Sequence, residues 1–340
     1  MTAPTSTPTT HSTSGDITAE QQRTRDGIFF IVGTGRSGTS LLQSIVSAHP
    51  HIAMPGETKF FTVMTPRSRT NATFTTEAAL DAELARLWKH WWMPEIGVDL
   101  DELRRDLAPA LPVAPADILI ALLTRYRLGV DRERVGEKSP GHLSRVLELA
   151  EMYPKARFVQ IVRDPRAVAL SLQEVKTKHK TDTGFGSTHF AVTVRDWSTA
   201  ISQSRTYAKE LPDRYHLLRY EDLVTEPARE LRSITKFLEL PWDDSLLRPE
   251  QRSQKGYFSR QAAHMSSTEK PLFTSSITRW REQLDPAVIG HLEAFLESDM
   301  VSLGYEPVKA GRSKLAHTPA LLVSDTARLF ERAVQRAKRG

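Results

Sequence analysis

The segment IFFIV-GTGRSGTS, residues 28–40, constrains the fold more than any other stretch of the chain. Ile28 to Val32 is an apolar run of strand length, too short for a helix. A glycine-rich turn follows, and from Thr39 to Ser47 the residues Leu41, Leu42, Ile45 and Val46 recur at helical spacing until His49-Pro50 ends the run. Strand, glycine turn and helix in that order open an α/β fold. The turn also gathers backbone N–H groups at a helix N-terminus, where anions bind.

Gly33 and Gly38 keep the spacing of the phosphate-binding loop G-x-x-x-x-G-K-[ST], but Thr39 stands in the lysine position. Positive charge comes instead from Arg36 inside the loop, with hydroxyls from Ser37, Thr39 and Ser40. A bare glycine turn has no use for an arginine and three hydroxyls. The loop is therefore expected to hold a phosphate-like anion without a γ-phosphate lysine.

The rest of the chain repeats the alternation. Arg134 to Glu137, Arg157 to Val162 and Tyr215 to Tyr220 have strand character; Gly141 to Tyr153, the segment from Pro165, Ser187 to Glu210 and Pro227 to Leu238 have helical character. The expected fold is α/β, a central parallel sheet flanked by helices and P-loop-like at its first turn. The domain is expected over 27–307 with a helical acceptor-side insertion at about 65–130, a disordered Thr/Ser/Pro-rich leader over 1–26, and a basic amphipathic tail over 308–340.

Arg163-Asp164-Pro165-Arg166 leaves the carboxyl end of the strand RFVQIV, on the edge where open α/β sheets bind ligands, and Ser171 follows eight residues after Arg163. Paired with the glycine loop, this suggests a ligand carrying two separated anions.

Bulk properties narrow the classes. The net charge is +5, but residues 308–340 hold eight Lys/Arg against two acids, so the basic excess belongs to the tail and no nucleic-acid partner is expected. No cysteine is present, which excludes disulfides and thiolate metal sites, and no apolar run is long enough to span a bilayer. The first twenty residues lack the regions of a signal peptide, so a cytoplasmic location is expected. The tail, with Leu329, Phe330, Ala333, Val334 and Ala337 on one face, is a candidate for peripheral contact with an anionic membrane, for packing on the body, or for a homodimer.

Taken in order between Ile28 and Gln283, GTGRSGTSLL, AHPHIAMPGET, EKSP, FVQIVRDPRAVALSL and LLRYEDLV resemble the PAPS-dependent sulfotransferase family, PAPS being 3′-phosphoadenosine-5′-phosphosulfate. The nearest branch is that of the tyrosylprotein sulfotransferases and their bacterial relatives. The resemblance implies PAPS as co-substrate, no metal, and in-line sulfuryl transfer to an acceptor hydroxyl; without a signal anchor in the sequence, the expected acceptor is a small molecule, carbohydrate or glycolipid. It places Gly35, Arg36, Ser37, Gly38, Thr39 and Ser40 on the 5′-phosphosulfate and Arg163 and Ser171 on the 3′-phosphate. Tyr220 becomes a further nucleotide contact, and Lys270 and Arg279 belong to a late loop over the cofactor, with Ser276 beside them. Glu57 becomes the base, and Lys138 and Arg36 the cations facing the bridging oxygen.

Other assignments of the same residues stand beside these. Glu57 fits a helix-terminal acid, and Glu137 fits either the base or an ion-pair partner of Lys138. Trp88, Trp91 and Trp92 fit an acceptor platform or the insertion's core. A P-loop kinase and a non-catalytic nucleotide-binding module are the alternative functions; Thr39 in the lysine slot speaks against the first.

Overall fold

The structure is a computed structural model and describes residues 14–178, 187–251 and 274–308. Five strands form one parallel sheet: β1 (Phe29–Gly33), β2 (Ile52–Ala53), β3 (Arg134–Lys138), β4 (Arg157–Val162) and β5 (Tyr215–Arg219), in the spatial order β2-β3-β1-β4-β5. β1 is central and buried at every position, pairing on one side with β3 (Ile31 opposite Lys138) and on the other with β4 (Gly33 opposite Ile161). Because every pairing is parallel, all five strands end on the same edge. The chain reverses its direction of growth at β1, and in open α/β sheets the crevice at such a switch point binds ligands.

Alternation along β1 assigns its two faces. Phe30 lies 5.4 Å from Phe158 in a near-parallel stack and continues into a core with Val135, Val146 and Leu149. Phe29 and Ile31 face Leu42, Ile45 and Val46 of the helix α2 (Thr39–Val46) and, farther along, Leu231 and Ile234. Burying each such side chain contributes about 1.5–3 kcal/mol, so this pattern fastens β1 to α2 on either side of the loop. Gly136 is required here: a Cβ would collide with the Phe29 ring and the Met54 sulfur.

Three expectations need correction. The leader read as disordered over 1–26 contains a helix, α1 (Ser14–Gly27), which buries Ile17 and ion-pairs Arg25 with Asp117 at 2.5 Å and Glu20 with Arg127. Its composition is too polar to advertise a docked helix, because the partners lie about a hundred residues away in the chain. The helix expected over Gly141 to Tyr153 is split into a 3₁₀ segment Pro140–Arg145 and an α-helix Val146–Met152; the buried Arg145 turns its guanidinium back onto the carbonyls of Phe61 and Thr65. Tyr220, read as the end of a strand, opens a helix Tyr220–Thr225 instead.

Residues 65–130 fold into helices Glu77–Leu87, Leu100–Leu107 and Pro115–Gly129; the first is capped by the Thr76 hydroxyl and the second by Asp99. Trp92 is buried in this layer, with Trp88 and Trp91 packed half-buried against the same core. Among the described residues no helix is long and apolar enough to cross a membrane. The tail from residue 309 lies outside the described residues.

Candidate functional site

The loop at the head of β1 sits at the centre of the shared edge. Arg36 and Gly38 both take positive φ, 69° and 102°, and Gly38 caps α2 without a side chain. Only glycine serves at 38, since a Cβ there would stand 2.5 Å from the Tyr220 ring. The hydroxyls of Thr34 and Ser37 bond to each other, and Ser37 and Thr39 are buried while Gly35 is open to solvent. Left-handed turns of this kind collect N–H groups into an anion-binding concavity, and the dipole of α2 favours negative charge at the same point.

On the β3 side stand Glu57 and Lys138. β2 delivers Met54 to Glu57 to the edge, and that segment is fixed by Gln43 Nε2 donating to Pro55 O at 2.6 Å and by Tyr126 OH donating to Met54 O at 3.1 Å. Lys138 ends β3, is almost sealed from solvent, and donates to Glu57 Oε2 at 3.3 Å. Glu57 keeps a 20% exposed side chain, so it remains reachable from solvent. Trp92 Nε1 donates to Thr58 O at 3.0 Å. Trp92 is thus core that also anchors the segment carrying Glu57.

Glu137 is placed differently. It is fully buried and accepts from Thr58 Oγ1 at 2.7 Å, Ser139 Oγ at 2.5 Å and His142 Nδ1 at 2.9 Å. Burial pushes its pKa up, but the pull of the His142 ring and the hydrogen bonds from His142, Ser139 and Thr58 outweigh it and hold Glu137 below the ordinary carboxylate value. With no solvent path and its oxygens committed, it cannot take a proton from an acceptor as a general base must. The sequence offered one signal for this arrangement, a histidine five residues after the glutamate in EKSPGH, and it is visible only in hindsight.

A lowered folded-state pKa stabilises the fold fully above the unfolded value and is lost as pH falls through the folded one. Glu137 is therefore expected to steepen acid unfolding below about pH 4.5. Melting temperatures followed downward from neutral pH should fall faster for the wild type than for Glu137→Gln. Parallel curves would remove this carboxylate as a source of the pH dependence.

On the β4 side the guanidinium of Arg163 lies 4.3 Å over the Tyr220 ring, and its Nη2 donates to Ser276 O at 2.9 Å. Tyr220 OH and Ser276 Oγ are bonded at 2.7 Å, and Trp197 Nε1 donates to Arg163 O at 2.9 Å. Arg36 Nε reaches Ser171 Oγ at 3.0 Å. Its side chain is thus turned toward Ser171, on the side of the loop where Arg163 stands. Desolvation and the charge of Arg163 lower the Arg36 pKa, with Glu174 opposing them. Arg279 binds Glu174 at 2.6 Å and so joins the same cluster. Among the described residues, the buried Nε atoms of Arg163 and Arg279 have no hydrogen-bond partner. Arg166 and Trp280, next to these residues in sequence, are structural: Arg166 is buried between Asp164 and Glu293 and stacks 3.8 Å over Trp280. Lys270 lies outside the described residues, as do His264, Ser266 and Ser267.

The structure thus brings Arg36, Arg163, Ser171, Tyr220, Ser276 and Arg279 to one side of the loop and Glu57 with Lys138 to the other. A cleft of about 330 Å³ opens beside Gly33, Thr34 and Gly35, walled by Pro140, Leu143 and Thr199.

Against known proteins, the model of the sulfotransferase family matches residues 29–244. Protein-tyrosine sulfotransferase 1 of Danio rerio is 25% identical over 305 residues, covering 89% of this chain and 78% of that protein. The protein-tyrosine sulfotransferase of Drosophila melanogaster is 26% identical over 288 residues, 82% of this chain and 52% of its own length. Among solved structures, the sulfotransferase domain from the curacin biosynthetic pathway superposes with a TM-score of 0.59 at 21% identity, covering 82% of this chain and 98% of that one. The sulfotransferase domain of the Synechococcus PCC 7002 olefin synthase gives 0.57 at 22% identity, with 82% and 94% covered. These two likenesses establish the fold.

Proposed function

The chain belongs to the sulfotransferase family, and from that premise we propose that it transfers the sulfuryl group of PAPS to an acceptor hydroxyl, with Glu57 as the general base. The observation that carries this is the division of the sheet edge: an anion-binding loop at the centre, a carboxylate–lysine pair on one side, and on the other an arginine cluster whose buried Nε–H groups have no partner among the described residues. A nucleotide bearing a phosphosulfate and a separate 3′-phosphate fits that division. The backbone N–H groups and the hydroxyls of Gly35 to Ser40 would hold the phosphosulfate; the side chains of Arg163, Ser171, Arg36 and Arg279 would hold the 3′-phosphate, with Tyr220 alongside.

When bound, PAPS supplies a sulfuryl group on a good leaving group. The chain's own task is positioning and charge stabilisation, as in phosphoryl transfer. Glu57 takes the acceptor proton as the oxygen attacks. Lys138, held 3.3 Å from Glu57, is the cation available to answer the negative charge that builds on the departing phosphate. The named relatives act on protein tyrosine, and phenols are accordingly the first hydroxyl acceptors to try, ahead of carbohydrates and lipids.

Calorimetric titration with 3′,5′-bisphosphoadenosine (PAP), 5′-AMP and ATP, each with and without magnesium, tests the donor site. Metal-independent binding of PAP, much tighter than AMP, is expected, followed by transfer from labelled PAPS to a hydroxyl acceptor. Magnesium-dependent preference for ATP would overturn the assignment in favour of a kinase.

A further inference from the structure

Glu137 and Lys138 are neighbours on β3 and point to opposite faces of the sheet. Lys138 meets Glu57 on one face, while Glu137 lies on the other, a face otherwise apolar around Phe30, Val32 and Val135. Its three partners are handed on to the segment that follows Glu57. Thr58 Oγ1 accepts from Phe60 N at 3.2 Å, Ser139 Oγ from Lys59 N at 2.9 Å, and His142 Nε2 from Phe61 N at 3.1 Å. Three consecutive amides, 59 to 61, are thus held by three side chains that converge on one carboxylate. Because Nε2 accepts from the backbone, the ring proton sits on Nδ1 and points at Glu137. Lys59 is forced to a φ of 54° as the chain turns over this network.

Desolvating a carboxylate is unfavourable, and an apolar residue would fill the space without that penalty. The charge sits where the segment carrying the base crosses the strand end carrying the lysine. We propose that Glu137 is a positioning residue for sulfuryl transfer: it fastens residues 58–61 to the end of β3 and thereby sets Glu57 against Lys138, without touching substrate. The proposal rests on the assignment of Glu57 as base.

Glu137→Gln keeps the volume but only one acceptor oxygen for three donors. An amide N–H must then face either the Nδ1–H of His142 or the hydroxyls of Thr58 and Ser139, which must rotate to accept it and so weaken the holds on the 59–61 amides. The expected result is a kcat about 10- to 100-fold lower with PAP affinity within about twofold of wild type. The limb of the pH–kcat profile governed by Glu57 should shift as well. Thr58→Val, which removes one arm, should reproduce the pattern with a loss of about tenfold. A Glu137 with only a structural role would lower the melting temperature while leaving kcat and pH profile of the folded enzyme intact, and that result overturns the proposal. So does a loss of PAP affinity in proportion to kcat. If Glu137→Gln does not fold, Thr58→Val and Ser139→Ala carry the same test. If the wild type transfers sulfuryl to no acceptor, the functional assignment fails separately, and the fastening is judged by amide hydrogen exchange in Thr58→Val. Faster exchange at 59–61 with β1 unchanged supports it; unchanged exchange at 59–61 overturns it.

Discussion

Glu57→Gln is expected to lower kcat by about 10²- to 10⁴-fold, the range that a positioned general base supplies, while PAP binding stays as tight as in the wild type or tightens. The second half of that expectation follows from Lys138. Its side chain is only 1% exposed and has Glu57 Oε2 as its hydrogen-bonding carboxylate at 3.3 Å. Removing the charge of Glu57 leaves a buried ammonium without its anion, a state that is strongly disfavoured, and an anionic nucleotide relieves it. A variant that lost PAP affinity together with kcat would show that Glu57 organises the donor site and is not the base. A variant with near-normal kcat would return the role to another group, and Glu137 is not a substitute: it is sealed from solvent and already accepts three hydrogen bonds. Rates measured with saturating PAPS and acceptor, beside calorimetry with PAP, separate these outcomes.

What the sequence discloses here depends on how far apart the interacting residues are. The strand–loop–helix unit at 28–46 is legible because hydrophobic periodicity, glycines and the terminating His49-Pro50 are all local. β2 is not, since two residues carry no period. Arg163 and Ser171 could be grouped from their place after a strand, but the direction of the Arg36 side chain could not. It depends on a left-handed backbone at 36 and on a serine 135 residues away. The docked helix Ser14–Gly27 and the Glu137 network were illegible for the same reason: their partners converge only after the sheet has formed. Trp92 shows the converse. The triplet of tryptophans is conspicuous in sequence, yet Trp92 is buried core whose indole N–H bonds the carbonyl of Thr58.

Arg163→Ala should abolish the preference for a 3′-phosphate. The guanidinium is held by the Tyr220 ring and Ser276 O, its Nε is buried without a partner among the described residues, and its charge lies close enough to lower the pKa of Arg36. Two neighbouring cations repel in the absence of an anion and attract a dianion jointly when one arrives. Truncating one side of a charge pair that the bound nucleotide would bury costs about 2–5 kcal/mol, so PAP should bind between about thirtyfold and a few thousandfold more weakly. AMP, which lacks the 3′-phosphate, should bind nearly as before. Arg163→Lys should recover little, because an ammonium cannot reproduce the planar fork that stacks on Tyr220 and donates along its edge. Paired titrations with PAP and AMP decide the matter. Equal losses for both nucleotides would mean that Arg163 supports the loop as a whole, through its contact with Arg36 O at 3.4 Å, and does not read the 3′ position.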